Sequence, residues 1–258
     1  ALAAPSGSGT RPALALCAYK SVPRVLEMDK SMRNIFRFCA ATTLAISAAT
    51  SLSAQRPDEP QLTLAAVQAE ATRGQADAIS TLGWMYETGN GVPADAAMAV
   101  SLYRTAIAKG DAFGEWRMGV MIDEGAAAGS PEQAVALFRK AAAGKSPGAT
   151  ASLGVMHATG RGVAKDYEAA MRYYQAAARM GSAHGIHGIG VLHANGQGVD
   201  RNIAEALAHW LVAAAAGNGE AMTLLMGHMP AAGTPEAAAI YDRANAIADI
   251  YGVYPADN

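Results

Sequence analysis

Leu153-Gly154-Val155-Met156-His157-Ala158-Thr159-Gly160-Arg161-Gly162-Val163 is the stretch whose reading decides the fold. It reads as the end of one helix, a glycine turn and the approach to a second helix. By itself it looks like a glycine-rich binding loop. Its copies give another reading. Versions recur at Leu82–Val92 and Ile189–Val199, and a worn version lies at Met118–Ala128. Leu82, Met118, Leu153, Ile189 and Leu225 are successive equivalents, 36, 35, 36 and 36 residues apart. A fixed period of this length signals stacked helical pairs. The glycines are then hinges, and a phosphate role for them is an over-reading.

Each unit has the same physical parts. The first helix carries a leucine-type knob followed by glycine: Leu82-Gly83, Met118-Gly119, Leu153-Gly154 and Ile189-Gly190. Glycine inside a helix is about 0.5–1 kcal/mol worse than alanine, so its presence predicts close approach of the partner helix. In the turns Gly89-Asn90-Gly91, Gly160-Arg161-Gly162 and Gly196-Gln197-Gly198, the first glycine can end a helix in the left-handed conformation. Asp95, Asp166 and Asn202 follow as expected N-caps of the second helix. That helix sets small alanines against large rings, as in Ala170, Tyr173, Tyr174 and Ala177. Gly110, Gly181 and Gly217 close the units. The second unit departs, with Gly125–Pro131 as its turn and Lys145 in place of a closing glycine. After Leu225 the turn degenerates, and residues 235–250 form a last helix.

Composition agrees with helix. Of 258 residues, 51% are hydrophobic but only 6% aromatic, so the apolar fraction is largely alanine, the best helix former. A net charge of −2 without a basic run excludes a nucleic-acid footprint. The first 55 residues differ in character. Residues 1–31 have no periodic pattern and are read as non-native upstream or disordered leader. Residues 32–54 have the layout of a signal peptide: Met32, the positive Arg33 and Arg37, an apolar small-residue run over 38–49, and Ser51-Leu52-Ser53-Ala54 as cleavage region. Cys17 and Cys39 both fall in this leader, so the mature chain is expected to hold together by packing without disulfides. Removing the six basic and two acidic residues before Gln55 leaves 14 and 20, a net charge of −6. Residues 55–61 read as a linker and 251–258 as a tail.

These ordered positions resemble the Sel-1-like repeat, a relative of the tetratricopeptide repeat, in its exported bacterial type. The shared pattern is Leu-Gly, then Tyr, Gly-x-Gly-Val, an Asp, an Ala, an aromatic pair, paired alanines and a closing Gly. Leu153 to Gly181 matches nearly throughout, with His157 in the tyrosine place. The resemblance covers residues 62–250 in units of about 76–110, 112–145, 147–181 and 183–217, with a partial one over 219–250. It implies an all-α, right-handed α-solenoid of about four helix pairs with a degenerate C-terminal capping unit. It also implies an adaptor or scaffold of the bacterial envelope, periplasmic or secreted, that binds a protein or peptide in a concave groove. No stable membrane span is expected after signal cleavage. The alternatives are a cell-wall or β-lactam-related hydrolase and a self-associating structural protein.

By analogy with tetratricopeptide packing, residues two before and two after the leucine place face the groove. This singles out Ser80, Trp84, Trp116, Val120, Ala151, Val155, His187 and Val191. An off-motif tryptophan is a plausible interface anchor; the competing reading of Trp84 and Trp116 is that each fills a gap in an alanine-rich core. Glu87, Asp123 and Glu124 read first as a solvated helix end, with an acidic rim at the groove's edge as the alternative. His184 and His187 have i,i+3 spacing but no third ligand, and His157, His193 and His209 stand in aromatic places, so packing is expected and no metal is assigned. No catalytic constellation and no cofactor motif occurs.

Overall fold

A computed structural model describes residues 63–253. The expectations for residues 1–61 and for 254–258 lie outside the described residues. Eleven helices and no strand occur among the described residues. They are α1 (Leu64–Thr72), α2 (Ala76–Thr88), α3 (Ala96–Ala108), α4 (Ala112–Asp123), α5 (Pro131–Ala143), α6 (Pro147–Thr159), α7 (Tyr167–Arg179), α8 (Ala183–Asn195), α9 (Ile203–Ala215), α10 (Gly219–His228) and α11 (Pro235–Tyr251).

Local chemistry starts and stops these helices. Asp95, Asp166 and Asn202 accept from Met98, Ala169 and Glu205 backbone N–H groups at 2.9, 2.9 and 3.0 Å. The aberrant second turn is rescued by a capping box, in which Ser130 and Gln133 each accept from the other's backbone N–H. The first helices are capped too, by Asp111, Ser146, Ser182 and Asn218, each directly after the closing residue of the preceding unit. Gly89, Gly160 and Gly196 end α2, α6 and α8 at φ 75, 76 and 66°.

The helix pairs are joined through the glycine of the Leu-Gly dipeptide. Gly83 lies against the ring of Tyr103, Gly119 against Phe138, Gly154 against Tyr174 and Gly190 against Trp210. A Cβ at these glycines would stand 2.8, 2.6, 2.6 and 2.5 Å from the nearest ring atom. Any side chain would therefore push the second helix away. Each ring is buried, and such rings carry much of the burial energy of a small core. Tyr174 also touches the next unit, where Gly188 clears the same space.

Stacking then makes a solenoid. Every second helix packs on the first helix of its own unit and of the next. Successive first helices also touch, α2 to α4, α4 to α6 and α6 to α8, whereas α3, α5, α7 and α9 make no comparable contact with one another. The first helices are thus crowded on the inner side and the second helices spread on the outer side. At the N-terminal end α1 covers α2, and its cap-end residues Glu70 and Arg73 form an ion pair at 2.5 Å.

The C-terminal unit is degenerate in packing as well as in sequence. α10 packs on α9, but α11 turns away from α10 and lies across the outer side of α9, touching α7 as well. Met226, in the glycine place of α10, is consequently 78% exposed. The outer side of α9 is built for this. Ala208, Leu211 and Val212 stand where α7 has Arg172, Gln175 and Ala176, and Ile240, Ala244 and Ile247 of α11 join the same core. A helix apolar all round is a buried helix.

One closing position is strained. Lys145 has φ 62°, where Gly110, Gly181 and Gly217 have 82, 82 and 90°. A left-handed non-glycine residue costs about 1–2 kcal/mol, and glycine returns about 0.5–1 kcal/mol of this as unfolded-state entropy. Lys145→Gly is expected to stabilise the protein by roughly 0.5–1 kcal/mol, read as a higher urea midpoint. A lower midpoint would contradict the assignment.

Candidate partner-binding face

The inner side carries one apolar residue per repeat, two places after the leucine-type residue. Trp84, Val120 and Val191 are half-buried, and Val155 is 36% exposed. They lie on α2, α4, α6 and α8, the helices that stack directly, so the repeat itself sets them in a row. The first helices are also acidic. They hold Asp77, Glu87, Glu115, Asp123 and Glu220 against one base, Arg117, a balance of −4. The second helices α3, α5, α7 and α9 hold Arg104, Arg139, Lys140, Arg172 and Arg179 against Glu132, Glu168 and Glu205, a balance of +2.

Two of the three rim acids are tied up between repeats. Glu87 takes an ion pair from Arg117, including an Nε–Oε2 bond of 3.1 Å, and the Tyr103 hydroxyl donates to it at 2.5 Å. Burial, followed by the bond to Glu87, pushes the Tyr103 phenol far up. Asp123, in the equivalent place of the next unit, pairs with Arg161 at 2.9 Å. Glu87 and Asp123 therefore fasten unit to unit, and Glu124 remains exposed.

Places two before the leucine behave differently from the expectation. Ser80 is fully buried, and its hydroxyl donates to the Asp77 carbonyl at 3.0 Å. Ala151 is buried as well. These side chains are buried and do not lie on the open face. At Trp116 this is explicit: its ring lies against Gly148, and its indole N–H donates to the Ser152 hydroxyl at 3.1 Å. Phe113 meets it edge-on at 5.7 Å, and the Arg117 guanidinium sits 5.2 Å from its centroid. His187 occupies the equivalent place, with Nδ1 3.7 Å from Glu220 of α10 and its ring 6.4 Å from Trp210. Burial holds its pKa below the usual imidazole value. Trp116 and His187 are thus joint residues, which leaves Trp84, Val120, Val155 and Val191 as the open row.

Three further histidines stack. His157 lies 5.3 Å from Tyr173, and His193 lies 5.7 Å from His209. Among the described residues no group of three or more His, Cys, Asp or Glu could hold a metal ion, and no helix is long and apolar enough to cross a membrane. The structural positions Leu82, Gly83, Gly89, Gly91, Leu153, Gly154, Gly160, Gly162, Ile189, Gly190, Gly196 and Gly198 belong to knobs, ring seats and turns. Gly162 and Gly198 also seat against the start of the preceding second helix, at Pro131 and Tyr167.

The Sel1 repeat family model matches residues 76–111, 112–146, 147–182 and 183–218, more than half of the chain. The chain belongs to the Sel1 repeat family. No curated protein matches this chain. Solved Sel1-type structures have the same fold. One is a protective antigen of uropathogenic Escherichia coli strains, 24% identical with a TM-score of 0.58, covering 84% of this chain. This chain spans 46% of that antigen's length. A Sel1 repeat protein from Oxalobacter formigenes is 24% identical with a TM-score of 0.54, covering 83% and 81% of the two chains. An immunity protein from Pseudomonas aeruginosa is 23% identical with a TM-score of 0.51, covering 83% and 81%. Sel1 repeats generally mediate protein–protein interaction, and the repeat fold is typically a non-catalytic scaffold.

If Trp116 is a joint residue, its removal weakens the solenoid itself. Trp116→Ala is expected to lower unfolding stability by about 2–4 kcal/mol. A loss below about 1 kcal/mol in urea denaturation would return Trp116 to the open face.

Proposed function

We propose that this protein is an exported adaptor of the bacterial envelope that holds a protein or peptide segment along its inner face. The single observation that carries this reading is the apolar row of Trp84, Val120, Val155 and Val191, repeated once per unit on the helices that stack directly. Rigid, evenly spaced apolar sites favour an extended or helical segment with apolar residues at regular intervals. The acidic balance of the first helices favours a basic segment, since complementary charge steers encounter and rejects wrong partners. Export rests on the layout of residues 32–54, with a basic start, a moderately apolar run and a small-residue cleavage region.

Recovery of the partner from envelope extracts tests the face. Val155→Asp places a charge in the middle of the row and is expected to reduce recovery at least tenfold, or about 1.4 kcal/mol. Arg139→Ala, on the outer side, is expected to leave recovery unchanged. The opposite ranking of the two variants would sink the inner-face reading.

A further inference from the structure

The buried histidine pair at the C-terminal end is left unexplained by partner binding. His209 of α9 is 4% exposed, and its Nδ1 lies 2.9 Å from the Glu205 carbonyl one turn earlier. That contact requires a proton on Nδ1, so the ring is satisfied as a neutral imidazole. His193 of α8 stacks on it, with the rings 5.7 Å apart and 25° from parallel. The Nδ1 of His193 is buried without a hydrogen-bond partner.

One carboxylate serves this whole cluster. Glu205 accepts two bonds from Arg243 of α11, at 2.8 and 2.7 Å. The same carboxylate lies 3.6 Å from His209 Nδ1. The groups facing His209 are therefore Glu205 on its own helix, His193 from α8 and Arg243 from α11. Tyr251 of α11 lies within electrostatic reach of Arg243 and Glu205, and of Arg179 on α7. The Arg243–Glu205 bonds fasten α11 where it crosses α9. The rest of that contact is apolar, through Ile240, Ala244 and Ile247.

We propose that α11 is an acid-released latch: protonation of His209, stacked on His193, draws Glu205 away from Arg243 and frees α11 from the outer side of α9. The Glu205 carboxylate would then face a buried imidazolium ring as well as the half-exposed Arg243 guanidinium, and one carboxylate cannot pair fully with both. Release uncovers Ala208, Leu211 and Val212, an apolar strip that the other second helices do not have. Burial first, with His193 and Arg243 adding to it, holds the His209 pKa below its ordinary 6.5, against the opposing pull of Glu205. A histidine depressed in the folded state stabilises above its unfolded value, and that stability is lost as pH falls below about 6.5. Glu205 is held low chiefly by its bonds to Arg243, so its own titration belongs to a more acidic range.

The solenoid supplies an internal reference. All six histidines lie between His157 and His228, so α2–α5 have none. Nearest-neighbour stability lets one end open while the other holds. Hydrogen exchange of the full chain is followed from pH 7.5 to 5.5, with α11 normalised to α2–α5. Opening of α11 is expected to rise about tenfold per pH unit below 6.5 for each proton taken up. His209→Leu places there the residue that α3 and α5 have, Leu102 and Leu137, and is expected to abolish the rise. A flat wild-type ratio, an equal rise in His209→Leu, or loss of protection confined to α10 would overturn the latch. If His209→Leu does not fold by circular dichroism, His209→Tyr, the residue that α7 has at Tyr173, takes its place. An undiminished rise in that variant overturns the proposal equally.

Discussion

A glycine against an aromatic ring, repeated four times, is the contact on which the other features depend. Gly83, Gly119, Gly154 and Gly190 give up helix propensity so that Tyr103, Phe138, Tyr174 and Trp210 can lie directly on a helix backbone. The chain has few rings, and its alanine-rich helices offer little else to bury. Placing each ring in the narrowest part of the joint brings the paired helices close enough for the alanines to meet as well. Without cysteines in the described residues, nothing covalent substitutes for this packing.

Close pairing also produces the binding face. First helices touch one another while second helices spread, so the two sides of the solenoid differ in curvature and chemistry. Residues that mediate unit-to-unit contact, such as Trp116 on Gly148 and Glu87 with Arg117, use up the polar and aromatic side chains near the joints. What remains open inside is a sparse apolar row. The outer side carries the bases, except at α9, where α11 lies over an apolar strip.

Much of this was legible in the sequence. The period of Leu82, Met118, Leu153, Ile189 and Leu225 gave the helix pairs, because a glycine or a knob must return whenever the joint returns. Caps at Asp95, Asp166 and Asn202 followed from local chemistry. The same chemistry marks Asp111, Ser146, Ser182 and Asn218, directly behind each closing residue, as caps of the first helices. Helix rotation was the harder matter. Periodicity places Ser80, Ala151, Trp116 and His187 on one stripe but does not say how far that stripe turns into the neighbouring helix. The path of α11 had a visible sign as well: Ala208 and Leu211 in α9 replace the polar residues Arg172 and Gln175 of α7. An apolar outer side needs a cover, and among the described residues α11 provides it.

The central physical claim is that the glycine of each Leu-Gly pair exists for the ring above it. A double-mutant cycle of Gly154→Ala and Tyr174→Leu, measured by urea unfolding, tests this most directly. With the tyrosine present, the added methyl is expected to destabilise by about 1–3 kcal/mol. With leucine in its place, the ring no longer blocks the site and the methyl should cost nothing or stabilise by up to about 1 kcal/mol. If the two substitutions add to within about 0.5 kcal/mol, the glycine does not serve the ring, and the contact is not what holds the helix pairs together.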